Sequence, residues 1–259
     1  MGVLNVTPDS FSDGGRYNRV DAAISRARAM VDVGATIIDI GGESTRPGAM
    51  AVSEDEELQR VVPVIEGIAS QLAVTISIDT SKPEVMRQAV GAGAGLINDV
   101  YALRKPGALN MAASLGVDVC MMHMQSTPKT MQQQPHYGCV VDEVGAFFSE
   151  RLQACQQAGI SQDKILLDPG FGFGKTLAHN LSLLKHLGEF KRFDCPLLIG
   201  LSRKSMFGEL LGKEVDERML ASVVSALLAV TNGAAIVRVH DVAEMSEALA
   251  IHKALQLAD

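Results

Sequence analysis

The 259-residue sequence contains no tryptophan, and aromatic residues make up only 4% of it. A core with so few large rings is packed from aliphatic side chains, as is common in proteins built on parallel sheets. Basic residues are outnumbered by acidic ones, 23 to 30, and the net charge is −7. This balance disfavours a general nucleic-acid-binding surface, so any bound anion needs a local basic pocket.

Cysteines and long apolar runs are also scarce. The four cysteines have no CxxC spacing, which predicts reduced, mostly buried thiols. No secretory signal precedes the first apolar run, and the longest apolar stretch, 219–230, is short for a bilayer span. The histidines show no HExxH-like spacing, so a zinc site is not expected. We therefore expect a cytoplasmic protein with neither membrane nor nucleic-acid partners.

Eight short runs of β-branched and aliphatic residues alternate with segments of helical period. The runs are 2–6, 36–40, 74–79, 95–99, 117–123, 165–168, 197–202 and 235–240. This alternation predicts one α/β domain over 1–259, folded as a single-domain (β/α)8 TIM barrel. An open doubly wound sheet is the alternative. Ser53 followed by EDEEL predicts the capped, solvated start of a helix.

Almost every one of these runs ends in a polar residue. The polar ends are Asn5, Asp39, Asp79, Asn98, His123, Asp168, Ser202 with Lys204, and Arg238 with His240. In a closed barrel such residues meet at the C-terminal mouth, where active sites of this fold lie. For Asp39 no role is assigned, and His123 is interpreted as a satisfied core histidine. An open sheet would instead spread the polar ends along a line.

The residue types at the mouth suit a particular ligand. Carboxylates, a carboxamide and an ammonium group at Asp79, Asn98, Asp168 and Lys204 match a planar heterocycle with mixed donors and acceptors. Arg238 and His240, two apart on the last strand, share a face and form a cationic pair. Because barrels of this type often bind phosphate near strands 7 and 8, we expect a flat ring at one wall and a phosphate group at the other.

The stretch LLDPGFGFGKT, 166–176, ends like a nucleotide-binding P-loop but fails the pattern. Pro169 stands where that motif requires its first glycine. Lys175 is therefore interpreted as a solvated loop lysine. The three glycines are expected to let the backbone and two phenylalanines approach a flat ligand closely.

Eight stretches along nearly the whole chain resemble, in order, the dihydropteroate synthase family. They are MGVLNVTPDSFSDGG (1–15), IIDIGGESTRPG (37–48), SIDTSKPEV (77–85), INDV (97–100), MMHMQ (121–125), LLDPGFGFGK (166–175), GLSRKS (200–205) and RVHDV (238–242). The resemblance implies a (β/α)8 barrel, a homodimer, that joins 4-aminobenzoate to 6-hydroxymethyl-7,8-dihydropterin pyrophosphate. The products are 7,8-dihydropteroate and pyrophosphate, formed through an SN1-like path, and sulfonamides compete for the aminobenzoate pocket.

The resemblance also implies roles for individual residues. It places Asp79, Asn98, Asp168 and Lys204 in the pterin site, and Thr45, Arg46, Arg238 and His240 in the pyrophosphate site. It places Phe11, Pro47, Phe173 and Ser202 around 4-aminobenzoate, and makes Asn5 a ligand of the cofactor Mg2+. The groups it assigns to catalysis are Asp13, Arg46, Lys204, Arg238 and His240.

Two features qualify this interpretation. The family commonly has a short segment before the first strand, and this sequence starts on the strand, so that segment is expected to be missing from it. Two further function classes fit a pterin-binding barrel: a methyltransferase that works with a corrinoid protein, and a non-catalytic pterin-binding paralogue. The stretches TPDSFSDGG and GGESTRPG favour the synthase over the first. Retention of Asp13, Arg46, Lys204 and Arg238 favours it over the second.

Overall fold

The structure is a computed structural model that describes residues 1–7, 16–44, 51–127, 130–132 and 134–258. Parallel strands alternate with helices along the chain. The strands are β1 Gly2–Asn5, β2 Ile37–Gly41, β3 Thr75–Asp79, β4 Leu96–Asp99, β5 Asp118–Met122, β6 Ile165–Asp168, β7 Leu198–Ile199 and β8 Ile236–Val237. The α-helices are α1 Arg16–Asp32, α2 Glu54–Gln71, α3 Pro83–Gly91, α4 Ala108–Leu115, α5 Val140–Gln157, α6 Leu177–Lys185, α7 Ser205–Leu211, α8 Met219–Thr231 and α9 Val242–Gln256.

The eight strands close into a barrel. Strands β1 to β6 pair in chain order, and β7 pairs with β8. Single parallel bridges, Leu167 to Leu197 and Gly2 to Val239, join these two groups at both edges. At the second seam Val3 N–H donates to Val239 O over 3.0 Å. The predicted (β/α)8 barrel is therefore confirmed, and the open doubly wound alternative is wrong.

Alternate residues of each strand pack into two different cores. In β2, Ile38 and Ile40 are fully buried in the large cluster that the helices cover. Asp39 lies between them and points to the other face of the strand, into the barrel. A separate apolar cluster of Leu96, Cys120, Leu166 and Leu198 fills the barrel interior. Two residues beyond Leu96 on β4 comes the buried Asn98, so the interior turns polar toward the carboxyl ends of the strands.

Helix α2 begins as its sequence predicts. The Ser53 hydroxyl accepts a hydrogen bond from Glu56 N–H over 3.2 Å, and four acidic residues occupy the first turn. Both features stabilise a helix N-terminus. The prediction that this start is solvated is wrong at Glu57, which is buried and pairs with the Lys82 ammonium.

Lys82 connects α2 to the chain that follows β2. Its ammonium also bonds Glu43 Oε2 over 2.8 Å and Val52 O over 2.7 Å. Glu43 and Val52 lie on either side of residues 45–50. One partly buried cluster therefore ties together the residues that flank this segment.

Two neighbouring helices, α8 and α9, carry exposed apolar side chains. Leu220, Val224 and Leu228 recur every four residues along α8, which places them on one face. Ile251 and Leu255 have the same spacing on α9 and are exposed as well. Among the helices of the ranges given above, none is both long and apolar enough to cross a membrane.

Candidate active site

The predicted ring-binding residues lie at the carboxyl ends of neighbouring strands. In the pairing register Asn5 is opposite Gly41, Gly41 is opposite Asp79, and Asp79 is opposite Asn98. These positions therefore share one level of the barrel. Five of the predicted site residues lie outside the described residues: Phe11, Asp13, Thr45, Arg46 and Pro47.

Arg238 sits between two carboxylates. Its Nε donates to Asp39 Oδ2 over 2.6 Å, and its Nη2 donates to Asp79 Oδ2 over 2.9 Å. A guanidinium group suits such pairing because its donors are arranged in a rigid, planar fork. Arg238, predicted to bind phosphate, thus contacts Asp79, predicted to bind the pterin, so the two predicted subsites adjoin.

Asp39 is the centre of this network and had no assigned role. The side chain is completely buried and accepts hydrogen bonds from Ser77 Oγ over 2.6 Å and Asn98 Nδ2 over 3.3 Å, besides that from Arg238. These hydrogen bonds satisfy both oxygens of the buried carboxylate. The sequence indicated this placement, because Asp39 interrupts the apolar run IIDI at a position whose side chain points into the barrel.

Asp79 has a different environment from Asp39. Burial raises the pKa of the Asp79 carboxyl to about 7, against the opposing charge of Arg238, and the nearby Asp39 adds to the rise. Two carboxylates that share one guanidinium group disfavour a second negative charge. Asp39 accepts from Arg238 Nε, whereas burial favours the protonated form of Asp79.

Asp168 lies at the end of β6, with its carboxylate in a buried position. Its Oδ1 accepts a hydrogen bond from Gly170 N–H over 2.7 Å. Burial raises the pKa of this carboxyl, while the Gly170 hydrogen bond and the charges of Lys204, Lys175 and Arg238 lower it. Asp168 therefore lies within electrostatic reach of Lys204, Lys175 and Arg238.

Lys204 projects from the turn after β7 over the ring of Phe173, with Nζ 4.1 Å from the ring centroid. This distance is within the range of a cation–π contact. Burial lowers the pKa of the Lys204 amine to about 8, and Arg238 lowers it further, while Asp168 and Asp79 oppose the shift. The preceding Arg203 turns away and pairs with Asp241.

Ser202 and His240 form a hydrogen-bonded pair across β7 and β8. The Ser202 hydroxyl lies 3.2 Å from His240 N and 3.0 Å from His240 Nδ1. Burial lowers the pKa of the imidazole to about 4, and Arg238 and Arg203 contribute to the shift. The shift favours the neutral imidazole, so Arg238 is the stronger cation of the predicted pair.

The glycine-rich loop 169–174 packs closely against the end of β5, whereas the sequence suggested that its glycines allow close approach to a ligand. Gly170 has φ +70°, and a Cβ atom there would lie 1.9 Å from His123 O. Phe171 is buried in the main core, so only Phe173 reaches the mouth. The expectation that both phenylalanines approach a ligand is wrong for Phe171.

Lys175 is buried, so its interpretation as a solvated lysine is also wrong. Its Nζ lies 2.9 Å from Gly170 O, 3.0 Å from Phe173 O and 3.0 Å from His123 Nδ1. His123 is buried and packs edge-on against Phe147. Burial and the Lys175 charge lower the pKa of His123 to about 2. The prediction of a satisfied core histidine is thereby confirmed.

Asn5 is the candidate metal ligand, and its side chain is exposed at the end of β1. Nowhere in the described ranges do three His, Cys, Asp or Glu residues cluster as a metal site would need. A lone amide oxygen still fits Mg2+, because this ion keeps several waters and binds through one or two protein oxygens plus substrate phosphates.

The structure thus brings the nine predicted residues that it describes to one mouth: Asn5, Asp79, Asn98, Asp168, Phe173, Ser202, Lys204, Arg238 and His240. Their functional roles stay predictions. Asp39, Ser77 and Lys175 are the functional candidates that sequence reasoning missed.

Comparison with known proteins gives matches over the entire barrel. Residues 1–240 match the family described as pterin binding enzyme. The dihydropteroate synthase of Escherichia coli (strain K12) is 56% identical over 254 residues, covering 98% of this chain and 90% of the relative. The Yersinia pestis dihydropteroate synthase, solved with a sulfonamide drug complex, superposes with a TM-score of 0.95 at 54% identity, covering 100% of this chain and 94% of that one.

A third relative has been solved with product. The dihydropteroate synthase of Xanthomonas albilineans in complex with 7,8-dihydropteroate has a TM-score of 0.91 and 49% identity, covering 100% of this chain and 94% of that one. Family match, sequence identity and superposition agree over nearly the full length of the chain. The chain belongs to the dihydropteroate synthase family of pterin-binding enzymes.

Proposed function

We infer that the protein is a transferase that makes 7,8-dihydropteroate from 4-aminobenzoate and 6-hydroxymethyl-7,8-dihydropterin pyrophosphate. The observation that carries this inference is the 56% identity to the E. coli enzyme across 98% of the chain. In the reaction, the bond from the methylene carbon to the pyrophosphate oxygen breaks, and both electrons leave on oxygen. The aniline nitrogen bonds to that carbon and releases one proton.

The mouth of the barrel suits the pterin half of this reaction. Asp168 supplies a buried carboxylate that can accept hydrogen bonds from adjacent ring N–H groups. Asn98 presents a buried carboxamide and Lys204 an ammonium group for the ring carbonyl. In this proposal Asp79 completes the set of acceptors once it is ionised.

Departure of pyrophosphate calls for electrostatic stabilisation of negative charge. Arg238 is the charged donor that the described mouth offers beside Lys204, and neutral His240 adds an N–H donor. Thr45 and Arg46 belong to the same proposed site, and Asp13 is proposed to face the cation that develops on the ring in an SN1-like path. The aniline nitrogen attacks as a neutral nucleophile, so no Ser or Cys activation is required.

Mg2+ is part of this proposal, with Asn5 as the protein ligand. When bound, the ion would neutralise charge on the leaving pyrophosphate. Two properties of Asn5 support the assignment: its side chain is exposed, and it lies level with Asp79 on the barrel rim.

The aminobenzoate pocket is proposed to be bordered by Phe11, Pro47, Phe173 and Ser202. Phe173 supports this because its ring lies at the mouth, beneath the Lys204 ammonium. We propose that sulfonamides compete at this pocket, since the Yersinia pestis relative was solved with a sulfonamide.

We propose a homodimer that forms through α8 and α9. Leu220 and Ile251 are 70% and 71% exposed, and the two helices that carry them contact each other. Contiguous exposed apolar surface of this kind marks an interaction site, and a second copy of the chain is the proposed occupant. A cytoplasmic location belongs to the same proposal, because Cys120, Cys155 and Cys195 are buried as free thiols.

The function is tested by supplying 4-aminobenzoate, the pterin pyrophosphate and Mg2+ and measuring pyrophosphate and dihydropteroate. Wild-type protein is expected to form both products in equal amounts. Lys204→Ala and Arg238→Ala are each expected to lower kcat/KM by at least 100-fold, because each removes a cation from the mouth. Unchanged turnover in both variants would overturn the site assignment.

A further inference from the structure

Lys175 carries a buried ammonium group for which the proposed reaction has no use. Among the described residues it forms no salt bridge, and its three short contacts are to Gly170 O, Phe173 O and His123 Nδ1. A buried charge without a paired carboxylate is costly and is kept only where hydrogen bonds compensate it. These contacts use all three ammonium donors.

The partners of Lys175 are parts of the proposed pterin site. Gly170 donates its N–H to Asp168 Oδ1, and Phe173 places its ring under Lys204. His123 N–H donates to Asp168 O over 2.8 Å, which joins the end of β5 to the end of β6. One ammonium therefore connects Gly170, which follows Asp168, to the ring of His123 at the end of the neighbouring strand and to the backbone of Phe173.

The loop has a second set of supports on its outer side. Asn180 Oδ1 accepts from Gly172 N–H over 2.8 Å, and Tyr137 OH donates to Gly174 O over 2.9 Å. These contacts fix the remainder of 169–174 without reaching the residues at the mouth. Lys175 is thus the support closest to Asp168 and Phe173.

We propose that Lys175 is a positioning residue, whose buried ammonium holds the 169–174 loop so that Asp168 and Phe173 face the pterin ring. This proposal rests on the proposed function, since it takes pterin as the ligand. Lys175 itself does not touch the ligand, because its donors are all directed at protein atoms.

The charge of Lys175 is expected to act on Asp168 as well. It lowers the pKa of the Asp168 carboxyl and so favours the ionised form, which accepts hydrogen bonds from the ring. Burial lowers the pKa of Lys175 itself to about 7, with Asp168 opposing and Lys204 adding to the shift. The other titratable groups around it are His123 and His179, and the Lys175 charge lowers the pKa of both.

The test compares pterin affinity in wild type and Lys175→Gln, which keeps N–H donors but has no charge. The dissociation constant of 6-hydroxymethylpterin is measured by calorimetry at pH 6 and pH 9. Because burial lowers the pKa of Lys175 to about 7, the amine is expected to be largely protonated at pH 6 and largely neutral at pH 9. The ratio of variant to wild-type constants is then expected to fall from about tenfold to below threefold. Shared titrations, such as that of Asp79, cancel in this ratio.

A matched control is Lys185→Met on the exposed surface of α6, for which the ratio is expected to be 1 at both pH values. A ratio for Lys175→Gln that is equal at the two pH values means that the residue only packs, and overturns the proposal. If wild-type protein binds no pterin at either pH, the proposed function fails together with it.

A second measurement, of the pKa of Lys175 with and without pterin, tests the proposal in wild-type protein and does not depend on the variant folding. Affinity and protonation are linked reciprocally, so pterin binding is expected to raise the pKa of Lys175 by the factor through which deprotonation weakens binding, more than about threefold, or at least about half a unit. The titration is followed through the 13Cε resonance of labelled lysine in wild-type protein, with and without pterin. An unchanged pKa on binding contradicts the proposal.

Discussion

At the scale of single residues, the mouth is organised by the competition of two carboxylates for one guanidinium group. Asp39 binds Arg238 Nε and is completely buried, while Asp79 binds Nη2 and stays partly exposed. Removing one member of a buried ion pair leaves the other charge uncompensated. The two carboxylates therefore have separate effects that substitution can distinguish.

Asp39→Asn is expected to lower the free energy of unfolding by about 3 kcal/mol, in the range found when one partner of a buried ion pair is removed. The variant should also lose at least tenfold in kcat/KM, because Arg238 loses the negative charge that orients it. Urea unfolding and steady-state kinetics measure the two effects. Asp118→Asn, at an exposed position of β5, is the control and should change neither. A stable, fully active Asp39→Asn protein would show that Arg238 needs no such support.

Asp79 makes stability depend on pH in a direction opposite to that of ordinary surface carboxylates. Its folded pKa of about 7 lies above the unfolded value of 3.8, so between these values the folded state holds the proton and the unfolded state does not. Stability from this group is present below about pH 4 and is lost as pH rises toward 7. Relative to Asp79→Asn, wild type is expected to lose a few kcal/mol over this range, measured by urea unfolding at pH 4, 5.5 and 7. A constant difference would mean that Asp79 is already ionised at pH 4.

At the scale of elements, much of the architecture follows from the sequence. The alternation of side chains along a strand places Ile38 and Ile40 on one face of β2 and Asp39 on the other. The polar residues at the strand ends predict the position of the mouth. The contact of Arg238 with Asp39 could not be predicted, because the two residues are 199 positions apart and meet only when the barrel closes. Lys175 was misjudged for a similar reason: a glycine-rich loop normally lies on the surface, and here the end of β5 covers it.

Gly170→Ala tests how closely that loop approaches β5. The residue has a left-handed backbone, and the added methyl group would collide with His123 O at 1.9 Å. We expect a loss of unfolding free energy of more than about 2 kcal/mol, since the left-handed conformation alone costs about 1–2 kcal/mol. Gly212→Ala is the matched control, because φ is +65° there and no atom lies within 4 Å of the new Cβ. Equal losses in both variants, measured by thermal or urea unfolding, would mean that the close approach contributes nothing.

At the scale of the whole molecule, one side of the barrel presents apolar side chains to solvent. The stripe on α8 lies beside Ile251 and Leu255 of α9. It lies on the helical surface, outside the barrel mouth. Association through this face would therefore leave the mouth open to substrates.

Leu220→Glu combined with Val224→Glu is expected to convert a dimer to a monomer, because two charges would enter an apolar contact. Sedimentation equilibrium or light scattering gives the mass of the 27.5 kDa chain in each case. Val33→Glu, at an exposed apolar position immediately after α1, is the control and should keep the wild-type mass. A wild-type protein that is monomeric at micromolar concentration would refute the dimer.

The short strands β7 and β8 determine where local opening of the barrel is expected first. Only two residue pairs join them to each other, and single bridges connect them to β6 and β1. Yet the chain that leaves these strands carries Ser202, Lys204, Arg238 and His240. The part of the barrel with the fewest paired backbone residues therefore carries most of the basic groups of the mouth. Its amides should exchange with deuterium sooner than those of β2 to β5, and a ligand that engages Lys204 and Arg238 should slow that exchange there first.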